Sequence, residues 1–173
     1  MTRPNDAEER WPVVAVVDGQ GGGIGGAIIK GLREQVGEHV EILALGTNAA
    51  ATTTMMRAGA NRGATGENAI ARSVDEADLI AGNAVIVMAH AMMGELTPRM
   101  AEAIAGARAE KWLLPLAMPG VELMGVDKKP LPHLIKLLGD ALVSRRCEFC
   151  SGRRLVRGRS SGDDPTETGG GHV

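Results

Sequence analysis

The sequence predicts a three-layered α/β fold built on a mostly parallel sheet of five or six strands. Two observations carry that reading. Val13 to Asp18 is an apolar run closed by an acid, and five of the next seven residues are glycine before a helical pattern begins. The same order of apolar run, turn and amphipathic stretch recurs immediately downstream. Strand–helix–strand–helix units of this kind form parallel sheets through right-handed crossovers. The 173 residues suffice for one domain with a real core and are too few for two ordinary ones.

Residues 1–12 read as a flexible leader. Val13 to Asp18 is apolar on both faces, as a central parallel strand requires. Ile24, Ile28, Leu32 and Val36 recur at four-residue spacing, so Gly23 to Val36 is a helix, with Gly37 as its C-cap. Val40 to Leu45 is the second strand. Gly46-Thr47-Asn48 then opens a helix from Ala49 to Ala58, stopped by Gly59. Asn61 to Asn68 is a polar loop feeding a short helix, with Thr65 as its cap and Glu67 suited to the positive first turn. Ala77 to Ala81 is the third strand. Ala84 to Met93 is β-branched at its start and helix-tolerant at its end, and is read as a strand through Met88.

Thr97-Pro98 starts a helix that runs to about Ala109, with proline at the first helical position. Trp112 to Leu116 is a buried strand and Val121 to Val126 a short edge strand. Leu131 to Ser144 is a final amphipathic helix whose stripe includes Leu134, Leu138 and Leu142. The domain therefore spans 13–146. Residues 147–173 form an arginine-rich, then glycine-rich tail with almost nothing to bury, read as largely disordered.

Composition narrows the function classes. Hydrophobic residues make up 44% of the chain, yet Trp11, Trp112 and Phe149 are its only aromatics, so the core is Ala, Val, Ile, Leu and Met. A net charge of −2 supplies no global attraction to nucleic acid or anionic lipid. No apolar run approaches the ~20 residues of a membrane span. The opening MTRPNDAEER is unlike a signal peptide, and a reducing cytoplasm is the expected compartment. The edge strand and the Met92-Met93 pair offer apolar surface, so a homodimer is expected.

The chemistry centres on the glycine loop. Glycine lets backbone N–H groups point at an anion without Cβ obstruction, and a helix start adds unpaired N–H groups and a positive dipole end. Asp18, Gly19, Gln20, Gly21, Gly22, Gly23, Ile24 and Gly25 are therefore read as a cradle for a phosphorylated small ligand. A carboxylate beside a phosphate is repulsive, so Asp18 is assigned to holding the loop shape. Its alternative role is a ligand for a phosphate-associated Mg²⁺.

Dinucleotide sites usually place an acid after the second strand to hold the ribose. Here that position carries Thr47 and Asn48, which leaves NAD(P), a mononucleotide or another phosphorylated ligand open. Arg62, Thr65, Gly66, Glu67 and Asn68 complete the candidate binding set at the same sheet edge. His90 and Glu95 are the candidates for acid–base work, and no complete catalytic constellation is visible. Cys147 and Cys150 form a lone CxxC. Two ligands do not fill a tetrahedral zinc site, so no metal is assigned. The alternative is zinc shared with a symmetry mate.

The spacing Gly19-xxx-Gly23-Ile24-Gly25 resembles the glycine motif of short-chain dehydrogenases, with Asp18 where they usually carry threonine. Their catalytic Tyr-xxx-Lys is missing because the chain has no tyrosine, which excludes a complete enzyme of that type. The blocks VVDGQGGGIG, ILALGTN, RAGANRGATGENAI and GELTPRM together resemble a small bacterial family catalogued as a domain of unknown function. That resemblance implies a Rossmann-like fold over about Val13 to Val126 and brings no catalytic residues. The reading is thus a cytoplasmic nucleotide-binding or phosphorylated-ligand-binding protein. Its alternative is a non-catalytic regulatory or assembly subunit with a protein partner.

Overall fold

The structure is a computed structural model, and it describes residues 11–145. The leader through residue 10 and the tail from residue 146, with Cys147 and Cys150, lie outside the described residues. Five parallel strands form one sheet: β1 (Val13–Asp18), β2 (Glu41–Gly46), β3 (Arg62–Thr65), β4 (Leu79–Asn83) and β5 (Glu110–Leu114). Their order across the sheet is β3-β2-β1-β4-β5. Register is continuous, with Asp18 opposite Gly46, Gly46 opposite Thr65 and Asn83 opposite Leu114. The fold is Rossmann-like, and the direction of winding reverses between β1 and β4. Open α/β sheets bind ligands in the crevice at the carboxyl ends of such a pair.

Strand alternation divides the core. Val14, Val16, Ile42, Ala44, Leu79 and Ala81 face α1 (Gly23–Val36), α2 (Ala49–Arg57) and α5 (Leu131–Ser144). Ala15, Val17, Leu43, Leu45 and Ile80 face α3 (Glu67–Ser73) and α4 (Pro98–Gly106). β1 is buried along its whole length, which accounts for its uninterrupted apolar sequence. α1 and α5 span the predicted residues without change, because both carry a long stripe that meets a single face.

Three expectations are corrected. The polar loop Asn61 to Asn68 contains β3, an edge strand that is mostly exposed and so has no apolar run to announce it. Ala84 to Met88 is not a strand. Ala84–Val87 is a 3₁₀ turn started by the Asn83 side chain, which accepts from Val85 N–H at 3.4 Å. Its apolar residues are explained by burial of Val85 and Ile86. Val121 to Val126 is not a strand either. It belongs to an exposed run of turns between β5 and α5, with Gly120 and Gly125 at positive φ. At the other end, Trp11 is half-buried and stacks on His39 at 5.4 Å.

Candidate functional site

The glycine loop leaves β1 at its carboxyl end, beside the crevice. Asp18 is 5% exposed, and both of its oxygens are committed to the loop. Oδ1 accepts from Gly19 N–H at 2.8 Å and Oδ2 from Gly25 N–H at 2.6 Å. Burial raises the Asp18 pKa above its ordinary value. The N–H groups of Gly25, Gly19 and Ile24 pull it down, and the charge of Glu95 adds to the rise. Asp18 therefore ties the loop to the start of α1.

The five glycines of the loop divide by cause. Gly22 has φ +71, and a Cβ there would sit 2.6 Å from the Ala51 carbonyl oxygen in the α2 backbone. A Cβ on Gly25 would meet Met55 and Asp18, and one on Gly19 would meet Met92, Thr47 and Glu95. These three glycines serve packing. Gly21 and Gly23 differ. Both are exposed, neither has positive φ, and a Cβ on either would meet nothing within 4 Å. Among the described residues no backbone carbonyl accepts from their N–H groups.

The end of β2 joins this loop. Asn48 caps α2, its Oδ1 accepting from Ala51 N–H at 2.9 Å, while its Nδ2 donates to Gln20 O at 3.0 Å. Glu95 reaches the same place from the long connection between β4 and α4. Its Oε2 accepts from Gln20 N–H at 2.8 Å, Thr47 Oγ1 at 2.6 Å and Asn48 Nδ2 at 2.8 Å. The Thr47 hydroxyl and the Gln20 N–H hold the Glu95 pKa below the ordinary glutamate value, with a smaller push from Asn48.

Three of the remaining candidates have other partners. Arg62 points away from the carboxyl edge, in ion pairs with Glu41 at 2.7 Å and Glu76 at 3.1 Å. Thr65 is not the cap of α3; that position is Gly66, and the Thr65 hydroxyl pairs with Thr52 at 2.7 Å. Glu67 accepts from Thr97 Oγ1 at 2.6 Å and pairs with Arg99, tying α3 to α4. Asn68 is exposed. His90 is also exposed, and no hydrogen bond joins its side chain to Glu95 among the described residues. Sequence reading missed Asn83, a buried amide ending β4 at the crevice; its signal was a polar residue closing an apolar run. It also missed Met92 over Gly19.

Among the described residues no three His, Cys, Asp or Glu side chains gather as metal ligands, and no helix is long and apolar enough to cross a membrane. A cavity of about 480 Å³ lies in the turns after β5, lined by residues such as Leu116, Met118, Val121 and Lys128. None of the glycine-loop residues line it.

The family model described as "Domain of unknown function (DUF3842)" matches residues 13–145, and the chain belongs to that family. No curated protein matches. Among solved structures, one similar chain is described as a dodecameric FMN-dependent Ubix-like decarboxylase from Escherichia coli O157:H7. It is 19% identical with a TM-score of 0.38, covering 78% of this chain and 76% of that chain. No functional residue is carried over from it.

Proposed function

We propose that the chain binds a phosphorylated small ligand at the carboxyl edge of its sheet. The anion rests on the Gly21 and Gly23 N–H groups, at the start of α1. The observation that carries this is the open space before those two glycines. Glycine there costs backbone entropy, and neither backbone angle nor packing asks for it. A ligand that must approach the backbone closely does. The helix dipole and the exposed N–H groups favour an anion at that point.

The ligand class is a nucleotide, either NAD(P) or a mononucleotide, with Thr47, Asn48 and Asn68 as polar neighbours at the same edge. Thermal unfolding with AMP, FMN, NAD and NADP tests the reading. A ligand in hundredfold excess over Kd adds about 2.7 kcal/mol to stability. No stabilisation by any phosphorylated compound counts against it.

A second reading, a regulatory or assembly subunit, is favoured by one observation. Met93 is 95% exposed and Met124 88%, and Val121, Leu123 and Val126 are also exposed. Such surface suits a homodimer or another protein partner. Stoichiometric co-purification of a second chain, without ligand, would favour this reading.

A further inference from the structure

Three donors from two separate segments converge on one oxygen of Glu95. They are the Gln20 N–H of the glycine loop, and the Thr47 hydroxyl and Asn48 amide at the end of β2. These are groups that a ligand's anion or sugar would use if the site were open. The residue that takes them is itself an anion, and it comes from the far side of the crevice. Its contact with Gln20 spans 75 positions of sequence.

The segment that delivers Glu95 is anchored at both ends and strained between. Ile86 and Leu96 are fully buried in the core. Between them His90, Met92 and Met93 have φ of 66, 56 and 60, and Gly94 has φ 90. Three non-glycine residues in left-handed backbone within four positions form an uncommon cluster. Hydrogen bonds from His90 N–H to Leu96 O and from Gly94 N–H to His90 O fold the segment on itself. Met92 and Glu95 then lie directly over Gly19.

We propose that residues 88–95 are a strap across the crevice, latched by the Glu95 carboxylate, which holds the Gln20 N–H beside the Gly21 and Gly23 anion site until a phosphorylated ligand drives it off. This rests on the anion reading above. A phosphate seated on Gly21 and Gly23 lies next to Gln20, whose N–H is bonded to Glu95, and so meets direct repulsion from that carboxylate. Binding therefore exchanges one anion for another. The strained backbone gives the strap a second arrangement to relax into once the carboxylate is released. Glu95 is a gate, and its removal strengthens binding where removal of a ligand contact would weaken it.

The test compares the wild-type full chain with E95A and E95Q. Each is first shown to be folded by circular dichroism; E95Q keeps the side-chain volume if E95A fails to fold. Pyrophosphate and AMP are titrated calorimetrically, and amide hydrogen exchange is followed over residues 84–97 without ligand. The expected result is at least tenfold tighter binding of a probe by the variants and faster exchange at 88–95. Weaker binding by the variants overturns the latch and leaves the anion reading intact, because Glu95 would then contact the ligand. Unchanged exchange with unchanged affinity also overturns the latch. No binding of either probe by any of the three proteins overturns both, since a strap with nothing to admit is only a structural tie.

Discussion

Alanine at Gly23 and alanine at Gly22 should have opposite effects on stability, although the two residues are adjacent. Gly22 holds φ +71, and left-handed backbone costs an L residue about 1–2 kcal/mol. Its Cβ would also sit 2.6 Å from the Ala51 carbonyl oxygen and 2.7 Å from the Ala51 Cα. Both belong to the α2 backbone and cannot swing aside, so α1 and α2 must separate. Overpacking of that kind costs about 1–3 kcal/mol. Gly22→Ala should therefore lose about 2–5 kcal/mol, a large share of the ~5–15 kcal/mol that holds a domain together. Gly23 is the first residue of α1, with open space before it. Gly23→Ala removes unfolded-state entropy and should gain about 0.5 kcal/mol, raising Tm by roughly 2 °C.

The two effects separate fold from function. A Cβ at Gly21 or Gly23 fills the space assigned to the ligand, so Gly21→Ala and Gly23→Ala should melt at or above the wild-type temperature. They should also lose most of the ligand-induced shift. Differential scanning calorimetry with and without the stabilising nucleotide reads both quantities from one sample. If Gly23→Ala melts several degrees lower, the glycine serves packing and the argument from open space fails. If both variants keep the full ligand shift, the anion lies elsewhere.

Asp18 and Glu95 should give pH dependences of opposite sign in urea unfolding. The folded Asp18 pKa is raised above 3.8, so its contribution is full below that value and is lost as pH rises through the folded pKa. The folded Glu95 pKa is lowered below 4.5, so its contribution is present above that value and is lost as pH falls through the folded pKa. D18N should abolish the first loss and E95Q the second; a wild-type profile in either variant refutes the assignment. Arg62→Ala removes two half-exposed ion pairs and should cost no more than about 1 kcal/mol while leaving nucleotide affinity unchanged. A clear loss of affinity would return Arg62 to the site. Sedimentation at micromolar concentration should give a dimer that Met124→Glu dissociates; a monomeric wild type defeats the dimer proposal.

The parts of the fold that were legible in sequence are those where one physical cause dominates. β1 and β2 are buried on both faces, and α1 and α5 each offer one long stripe, so local pattern and burial agree. β3 was missed because its residues Arg62–Thr65 are mostly exposed at a sheet edge; backbone pairing with β2 makes the strand, and side chains leave no trace of it. Ala84 to Met88 misled for the opposite reason. Val85 and Ile86 are apolar because they are buried, and burial alone does not distinguish a strand from a 3₁₀ turn.

The site divides in the same way. Asp18 with the glycine loop is local: its hydrogen bonds run to Gly19 and Gly25, so eight residues of sequence contain the whole motif. Glu95 was visible only as a neighbour of His90, a proximity that suggested a catalytic pair. Its actual partners stand 47, 48 and 75 positions away. What brings them together is strand order, since β4 lies beside β1 and its connection to α4 rises next to the glycine loop. The acid missing after β2 in the sequence is therefore present there in space, delivered from another segment and hydrogen-bonded to the Thr47 and Asn48 that stand in its place. An acid built into β2 would be fixed. One carried on the β4–α4 connection withdraws with that connection, which makes the charge facing an incoming ligand a property of conformation.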